Sequence, residues 1–328
     1  MDKKANISFN ISAILTVILF CFAVTPVYFQ NDTFYSIKIG RYILENGVDM
    51  NDHFSWHNDL PYTYPHWAYD TLLGFLYNIG GFAAVCLSTI VFACILGITL
   101  YFVNCSLTKN RTTSLVFTLL IMFLLGELYL TARAQLVSYI LFILEFLCIE
   151  KFLKTKHFGY AAGLVVIATV LANVHIAVWP FFFVIFLPYI GEYLLAKFGI
   201  KSFSRIIIKK NKLVPLLMII FVICLFTGLL TPLGFSPYTY LFDTITGPSL
   251  GYINEHKSLL ILTSLKFLSV LVIFGIFLFL TTIEISIKNL LMLGGLLTLA
   301  ISGQRHFSLL AIIGMTIYNL LVSEYLEE

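Results

Sequence analysis

Residues 80–103 of the chain read GGFAAVCLSTIVFACILGITLYFV, a stretch of 24 positions without one Asp, Glu, Lys or Arg. About 20 predominantly apolar residues in a helix cross the hydrocarbon core of a bilayer, so this length and composition predict a membrane-spanning helix. The apolar run is continuous and does not alternate with polar residues, which argues against the strands of a membrane β-barrel. The chain that contains this stretch is therefore predicted to be helical and embedded in a membrane.

The composition of the whole chain supports this interpretation. Of the 328 residues, 59% are hydrophobic and 11% are charged, and the mean hydropathy is +0.94. A soluble domain carries about 25% charged residues, so water is not the main solvent of this chain. The net charge of +3 is small and gives no reason to expect a nucleic-acid partner.

Ten apolar segments follow one another along the sequence. They predict an all-α, polytopic bundle of about ten transmembrane helices that forms one domain over 1–328. Their approximate bounds are 11–29, 80–103, 114–131, 136–153, 158–173, 177–196, 213–231, 264–282, 287–302 and 307–322. Several are short, which leaves open whether one pair is re-entrant. The first is not predicted to be a cleavable signal peptide, because it is long enough to span and lacks a small-x-small site at its end.

The distribution of Lys and Arg predicts the orientation, because cytoplasmic loops carry an excess of basic residues. With the N-terminus in the cytoplasm, fourteen of the 20 basic residues fall on the cytoplasmic side and six on the outer side. We therefore expect a multi-pass plasma-membrane protein with both termini in the cytoplasm. The basic stretch from Gly199 to Leu213, with interleaved Ile and Phe, is predicted to form an amphipathic helix on the cytoplasmic surface.

Two polar loops, 30–79 and 231–263, are predicted on the outer side and are longer than the other connections. Long loops in compact architectures tend to carry function. The first loop is expected to contain two interfacial amphipathic helices, one from Phe34 to Asn46 and one from Tyr69 to Ile79. Six of the seven histidines also fall on this side: His53, His57, His66, His175, His256 and His306.

Asp32 is the candidate for a catalytic residue. It follows the first apolar segment at the membrane boundary, where an ionisable side chain is a functional candidate by default. A helix cap or a solvated loop carboxylate is the alternative interpretation. Arg133, His175, Arg305 and His306 are predicted on the same side and are candidates for binding an anion. The alternatives are snorkelling anchors for the two arginines and a hydrogen-bonded helix end for His175.

Several short motifs resemble bacterial membrane glycosyltransferases of the GT-C superfamily, multi-spanning enzymes similar to those that use dolichyl- or polyprenyl-phosphate sugars. The motifs in the first loop are Asp32-Thr33-Phe34, Gly40-Arg41-Tyr42-Ile43, Gly47, Asp52-His53-Phe54-Ser55, Pro61-Tyr62 and His66-Trp67. Later ones are Arg133-Ala134-Gln135, Asn173-Val174-His175, Pro232-Leu233-Gly234 with Tyr238, and Arg305-His306. The chain departs from the pattern at His66 and Trp67, which are adjacent where many members have a Glu between them, so the role of a second carboxylate stays open.

The resemblance implies transfer of a sugar from a polyprenyl-phosphate donor to a lipid or cell-envelope glycan acceptor, on the outer face of a bacterial plasma membrane. Asp32 matches the carboxylate that acts as the base, and charge on the departing phosphate requires a cationic clamp. The donor phosphate would then contact Arg133, His175, Arg305 and His306. The implied substrate-binding residues are Asp52, His53, His66, Trp67 and Tyr238, and membrane lipids are further partners.

A divalent metal site in the first loop is a weaker hypothesis. Asp49, Asp52, His53 and His66 have side chains that suit such an ion. Turns also collect Asp and Asn for conformational reasons alone, and the sequence contains no dense Asp-x-Asp pair. No cofactor is therefore firmly predicted.

Two other classes of protein stay open. A transporter or flippase of lipid-linked sugars would place ionisable residues near the middle of the bilayer, and Glu127 and Glu145 lie within apolar segments. A non-catalytic membrane subunit of a polysaccharide-assembly complex would not need Asp32.

Overall fold

The computed structural model describes residues 3–57, 60–246 and 265–327, and this part of the chain is predominantly helical. The helices are α1 (Lys3–Val24), α2 (Asn31–Asn46), α3 (Trp67–Thr108), α4 (Arg111–Tyr129), α5 (Ala134–Thr155), α6 (Phe158–Val174), α7 (Trp179–Lys197), α8 (Val214–Phe226), α9 (Ser236–Thr246), α10 (Leu265–Leu280) and α11 (Ile287–Ser302). The last helical run, α12, joins Phe307–Leu309, a π-helical turn at Leu310–Gly314 and Met315–Glu327. Two short strands, β1 (Ile206–Ile207) and β2 (Ile285–Ser286), pair in parallel.

Each of the ten predicted apolar segments contains a helix, namely α1, α3 to α8 and α10 to α12. Four helical stretches are long and apolar enough to cross a membrane: Asn6–Val24, Trp67–Thr108, Ile176–Lys197 and Gln304–Glu327. Shorter apolar helices accompany them. The fold is therefore that of an all-α membrane protein. The second predicted loop, 231–263, is described only as far as position 246, so His256 lies outside the described residues.

The first predicted interfacial helix corresponds to α2, which ends at Gly47 with a φ of 80°. The second, from Tyr69 to Ile79, corresponds to the first arm of α3. Non-helical backbone at Gly80 and Gly81 separates this arm from the one that continues to Thr108. Gly81 has a φ of 59°, a left-handed conformation that glycine adopts without steric cost, so the helix is interrupted there and the two arms run in different directions.

The two helices α2 and α3 cross with their backbones in direct contact. A Cβ atom added to Gly40 of α2 would lie 1.7 Å from the carbonyl oxygen of Asp70 on α3. A Cβ added to Gly74 would lie 2.5 Å from the backbone nitrogen of Arg41. Small residues permit such close approach of helices, so α2 is fixed to the first arm of α3.

The helices run between two ends of the bundle, which we call the α2 end and the basic end. The α2 end holds α2, the loop 47–66 and the starts of α3, α5 and α7. At the basic end, Lys151 donates to the carbonyl of Ser106, and Lys288 pairs with Glu150. One apolar core connects the two ends, and its fully buried members include Leu100, Phe142 and Phe182.

The stretch from Gly199 to Leu213 does not form the predicted amphipathic helix. Gly199 takes a φ of 80° and ends the last turn of α7. The chain then turns at Ser204, which has a φ of 50°, and Ile206 and Ile207 pair with Ile285 and Ser286. The prediction was wrong because pairing with a distant strand determines the backbone of this stretch, and apolar periodicity does not report such pairing.

Candidate functional site

The α2 end brings together side chains from four parts of the sequence. Asp32 lies in the first turn of α2, and Arg133 is the residue that precedes α5. His66 precedes α3, and His175 follows α6. Because α-helices alternate in direction through the bundle, these helix ends meet at one level, and the sequence analysis had assigned all four residues to one side of the membrane.

An ion pair joins Asp32 to Arg133. The guanidinium of Arg133 donates to the carboxylate of Asp32 and also to the side-chain oxygen of Gln30, at 3.2 Å. The hydroxyl of Thr33 donates to the carbonyl of Ala132 at 3.2 Å, so α2 is tied to this turn twice. The Arg133 side chain is 17% exposed and that of Asp32 is 60% exposed. One face of the Asp32 carboxylate is thus open to a ligand.

His175, which is buried, and His66, which is half-buried, form a pair beside this ion pair. Their ring centroids lie 4.6 Å apart, and Nδ1 of His175 lies 2.9 Å from Oγ of Ser138. The Ser138 hydroxyl also donates to the carbonyl of Ala134. A hydroxyl has one proton, so both contacts are satisfied when Nδ1–H of His175 donates to Ser138. That assignment leaves Nε2 of His175 as a hydrogen-bond acceptor.

Both histidines are held in the neutral form. Burial, followed by the positive charge of Arg133, lowers the pKa of His66 to about 4. Burial lowers the pKa of His175 well below its usual range, and His66, Arg133 and Arg305 add to that effect. Both arginines therefore lie close enough to His175 to disfavour its charged form.

Arg305 and His306 complete this group from the short turn before α12. They line a cavity of about 30 Å³ together with Gln135, Ser138 and His175. The ring of Phe181 lies 4.9 Å from that of His306 and covers one side. The cavity has room for one or two water molecules. The structure thus groups His175 with Arg305 and His306, and it groups Asp32 with Arg133.

Asp70 is a buried carboxyl group that the sequence analysis did not single out. It lies in the first turn of α3, is 1% exposed, and its Oδ1 has no hydrogen-bond partner in the described part of the chain. Asp32, Ser36 and Gly40 follow at intervals of four on α2, the spacing of one helix face, and Gly40 packs against Asp70. A second carboxyl group therefore lies behind Asp32. Its signal in the sequence was an acidic residue near the start of a long apolar run.

The first loop is organised around Asp49. This carboxylate accepts hydrogen bonds from the hydroxyls of Tyr42 (2.8 Å) and Tyr64 (3.0 Å) and contacts Nε2 of His53 at 2.6 Å. Desolvation alone would raise the pKa of Asp49, but the hydrogen bonds from Tyr42, His53 and Tyr64 together hold it below its usual range. Asp49 is thus the centre of a loop-stabilising network.

The other candidates of the metal hypothesis have separate partners. Asp52 accepts hydrogen bonds from the backbone N–H groups of Phe54 and Ser55, which hold its pKa below the usual range. His66 contacts His175, away from Asp49. Within residues 3–57, 60–246 and 265–327, no three His, Cys, Asp or Glu side chains are grouped closely enough to hold a metal ion.

Two of the implied substrate-binding residues make contacts that hold the fold. The indole N–H of Trp67 donates to the side-chain oxygen of Asn173 at 3.2 Å. The hydroxyl of Tyr238 donates to the carbonyl of Leu225 at 2.6 Å, and its ring packs edge-on against Trp179. These residues connect neighbouring elements, whereas Asp32, His66 and His175 lie together at the candidate site.

No protein-family model matches this chain, and no curated protein matches its sequence. The fold and the site define the chain as an all-α membrane protein with a cluster of Arg, His and Asp side chains at one end of its bundle. Its function is therefore argued from that cluster.

Proposed function

We propose that this chain is a membrane glycosyltransferase of the GT-C type, which moves a sugar from a polyprenyl-phosphate donor to a lipid or cell-envelope glycan acceptor. The observation that carries the proposal is the ion pair between Asp32 and Arg133 beside the paired imidazoles of His66 and His175. It provides a partly exposed carboxylate next to a group of cationic and hydrogen-bonding side chains. Transfer of a sugar from a phosphate leaving group needs a base and an anion site, and the cluster contains side chains of both kinds.

Asp32 is proposed as the general base. As the acceptor oxygen forms its bond to the anomeric carbon, the acceptor O–H bond breaks and the proton passes to the Asp32 carboxylate. The bond between the anomeric carbon and the phosphate oxygen breaks at the opposite face, and its electron pair stays on the phosphate. The product has inverted configuration, and no oxidant or metal is needed to balance the step.

The departing phosphate is proposed to bind Arg133 and Arg305, with His306 beside them. His175 does not serve as predicted, because its N–H is donated to Ser138 and its Nε2 is an acceptor. Guanidinium groups bind phosphate through parallel charge-assisted hydrogen bonds. The cavity between His175 and Arg305 has a volume of only about 30 Å³, which is too small for a sugar phosphate. Donor binding therefore requires the turn that carries Arg305 and His306 to move away from Phe181.

An apolar groove supports a lipid-linked donor. It has a volume of about 170 Å³ and lies between α10, α11 and α12, with Val270, Leu293 and Leu310 in its wall. Leu309 lines the polar cavity and its neighbour Leu310 lines the groove. With a rise of about 1.5 Å per residue, the groove begins about 7 Å along α12 from Arg305, a spacing that suits an anionic head followed by an isoprenoid chain.

The proposal includes a topology of about ten spans, with the α2 end outside the cell and both termini in the cytoplasm. The excess of Lys and Arg at the basic end supports it. In a variant without the native cysteines, Ser55→Cys should react with an impermeant maleimide in intact cells, whereas Lys156→Cys should react only after permeabilisation. The reverse pattern would overturn both the topology and the outer site.

The experiment on function is sugar transfer from a radiolabelled polyprenyl-phosphate donor in proteoliposomes. Asp32→Asn keeps the shape of the side chain and should lower transfer by about 10²- to 10⁴-fold. Asp243→Asn, an exposed carboxylate on α9, is the matched control and should be silent. Equal transfer by wild type and Asp32→Asn would exclude Asp32 as the base.

One observation favours transport as the second candidate. Glu145 on α5 is fully buried, and neither of its carboxyl oxygens has a partner among the described residues. Intramembrane carboxyl groups of this kind occur in proton and ion pathways. The same proteoliposomes discriminate the candidates: translocation of the labelled lipid without transfer, lost in Glu145→Gln and kept in Asp32→Asn, would favour the transporter. Absence of both activities would favour a non-catalytic subunit.

A further inference from the structure

The stretch 197–212, which we call the basic strap, follows α7 at the basic end. It contains six basic residues and no acidic one: Lys197, Lys201, Arg205, Lys209, Lys210 and Lys212. Between them, Phe198, Ile200 and Phe203 are 78%, 48% and 63% exposed. Large exposed apolar side chains are poorly solvated by water, and here they alternate with exposed ammonium groups. Such a surface matches the boundary of a membrane that contains anionic lipids.

The strap is fixed in place by its backbone. The N–H and carbonyl groups of Phe203 and Ile206 bond reciprocally, at 3.1 and 2.9 Å, and close a tight turn. The Arg205 guanidinium donates to the carbonyls of Leu278 and Thr281 at the end of α10. The side chain of Arg205 is thereby engaged with the protein, whereas Lys197, Lys201 and Lys210 are exposed. Because the backbone is held by these bonds, ordering the strap adds little entropic cost to binding.

The wall on the inner side of the strap is predominantly acidic, which disfavours binding of a soluble anion there. A cavity of about 750 Å³ lies there, and its wall includes Glu150, Glu192, Glu284 and Glu327. Glu192 accepts from the backbone N–H of Lys209 at 3.4 Å. Carboxylates outnumber lysines around this cavity, so negative charge is repelled inside and attracted only at the outer face of the strap.

We propose that the outer face of the basic strap is a binding surface for anionic phospholipid headgroups, with Phe198 and Phe203 inserted among the acyl chains and Lys197, Lys201 and Lys210 at the phosphates. The proposal does not depend on the enzymatic activity. It depends on charge and exposure at the opposite end of the bundle.

The experiment compares lipid binding by the full chain in neutral detergent, using dioleoylphosphatidylglycerol and dioleoylphosphatidylcholine as probes. Retained lipid is counted by native mass spectrometry, and the thermal unfolding midpoint is followed against lipid concentration. Wild type should bind the anionic lipid more tightly and gain stability from it by mass action. Because each basic residue at an anionic surface contributes about 1 kcal/mol, about fivefold, the variant Lys197→Gln/Lys201→Gln/Lys210→Gln should bind it about a hundredfold more weakly.

The matched control is Lys4→Gln/Lys109→Gln/Lys156→Gln, which removes the same charge at the same end, outside the strap, and Lys109 and Lys156 also lie outside the cavity beneath it. It should weaken binding of the anionic lipid by less than about threefold, because the strap itself is unchanged. Phe198→Ser/Phe203→Ser should weaken binding of both lipids alike. Equal loss in the two lysine triples, or equal affinity of wild type for the two lipids, would overturn the proposal.

The effect of salt on the wild-type protein tests the proposal even if the strap variant fails to fold. Raising the ionic strength to about 1 M shortens the Debye length to about 3 Å. The preference of wild type for the anionic lipid should then disappear. A preference that persists unchanged at high salt would also overturn the proposal.

Discussion

The guanidinium of Arg133 pairs with the carboxylate of Asp32 and thereby joins the start of α5 to the first turn of α2. The Asp32 side chain is 60% exposed, so water screens much of the attraction. Ion pairs in such surroundings contribute about 0–1 kcal/mol to stability. The pair therefore affects the chemistry of the site more than the stability of the fold.

The first prediction follows from that difference. Arg133→Gln should lower sugar transfer by at least about tenfold, because the leaving phosphate loses a charge-assisted partner, and should change the free energy of unfolding by less than about 1 kcal/mol. Activity in proteoliposomes and denaturation in detergent measure the two effects. Arg41→Gln, an exposed arginine of α2 over the ring of Tyr77, is the control and should retain transfer. An equal loss in both variants would mean that general positive charge is what matters.

The crossing of α2 and α3 gives the second prediction. In Gly40→Ala the new methyl group would lie 1.7 Å from the carbonyl oxygen of Asp70, and backbone cannot move aside as a side chain can. We expect a loss of at least about 3 kcal/mol in the free energy of unfolding, at the upper end of overpacking effects. Thermal unfolding followed by circular dichroism measures this loss.

Gly295→Ala is the control for that substitution. Gly295 lies inside α11, and a Cβ added there meets no atom within 4 Å. Because alanine has the higher helix propensity, this variant should be as stable as wild type or up to about 1 kcal/mol more stable. Similar destabilisation by both alanines would show that the backbone contact between α2 and α3 is not tight.

The pKa of His66 predicts how stability depends on pH. Its pKa is about 4 in the folded protein, against an ordinary value of 6.5. Between these values the unfolded chain binds more protons, so stability is present in full above about pH 6.5 and falls as the pH decreases towards 4. The thermal midpoint should decrease over that window in wild type. In His66→Gln the decrease should be smaller, and an identical pH profile for the two proteins would contradict the burial of a neutral imidazole.

The pair of Glu150 and Lys288 predicts a stability effect at the basic end. Their side chains are about one fifth exposed, and the hydroxyl of Tyr189 donates to Glu150 at 2.8 Å. Lys288→Met leaves the carboxylate without its cation and should cost about 1–3 kcal/mol. The double variant Lys288→Met/Glu150→Gln should recover part of that loss, because glutamine is neutral and still accepts from Tyr189. Additive effects in denaturant titrations would show that the two side chains are not coupled.

The sequence predicted the structure where the length of an apolar segment or the conformational freedom of a glycine determines it. Ten apolar runs predicted the positions of ten helices, and Gly47 ends α2 where it was expected to. The tie of Arg205 to the end of α10 was not predictable, because it pairs residues about 75 positions apart through backbone carbonyls. The strap was for this reason predicted to be a helix.

The candidate site was only partly predictable. Asp32, Arg133, His175 and Arg305 were singled out by charge at the membrane boundary, and the structure pairs the first two and places the other two at one small cavity. Asp70 was missed because its role depends on burial against Gly40, which belongs to another helix. Conversely, Trp67 has the features of a binding residue in sequence, but its indole N–H is occupied by Asn173.

Any rotation at the kink at Gly80 and Gly81 would displace the far end of the first arm of α3. The arm contains 13 residues, a length of about 20 Å at about 1.5 Å per residue. A rotation of about 10° at the kink would displace its far end by about 3 Å, roughly the length of one hydrogen bond. Because Gly40 and Gly74 lock α2 to this arm, Asp32 would travel with it, whereas Arg133 is carried by α5. A change of angle at Gly80 and Gly81 would therefore alter the distance between Asp32 and Arg133.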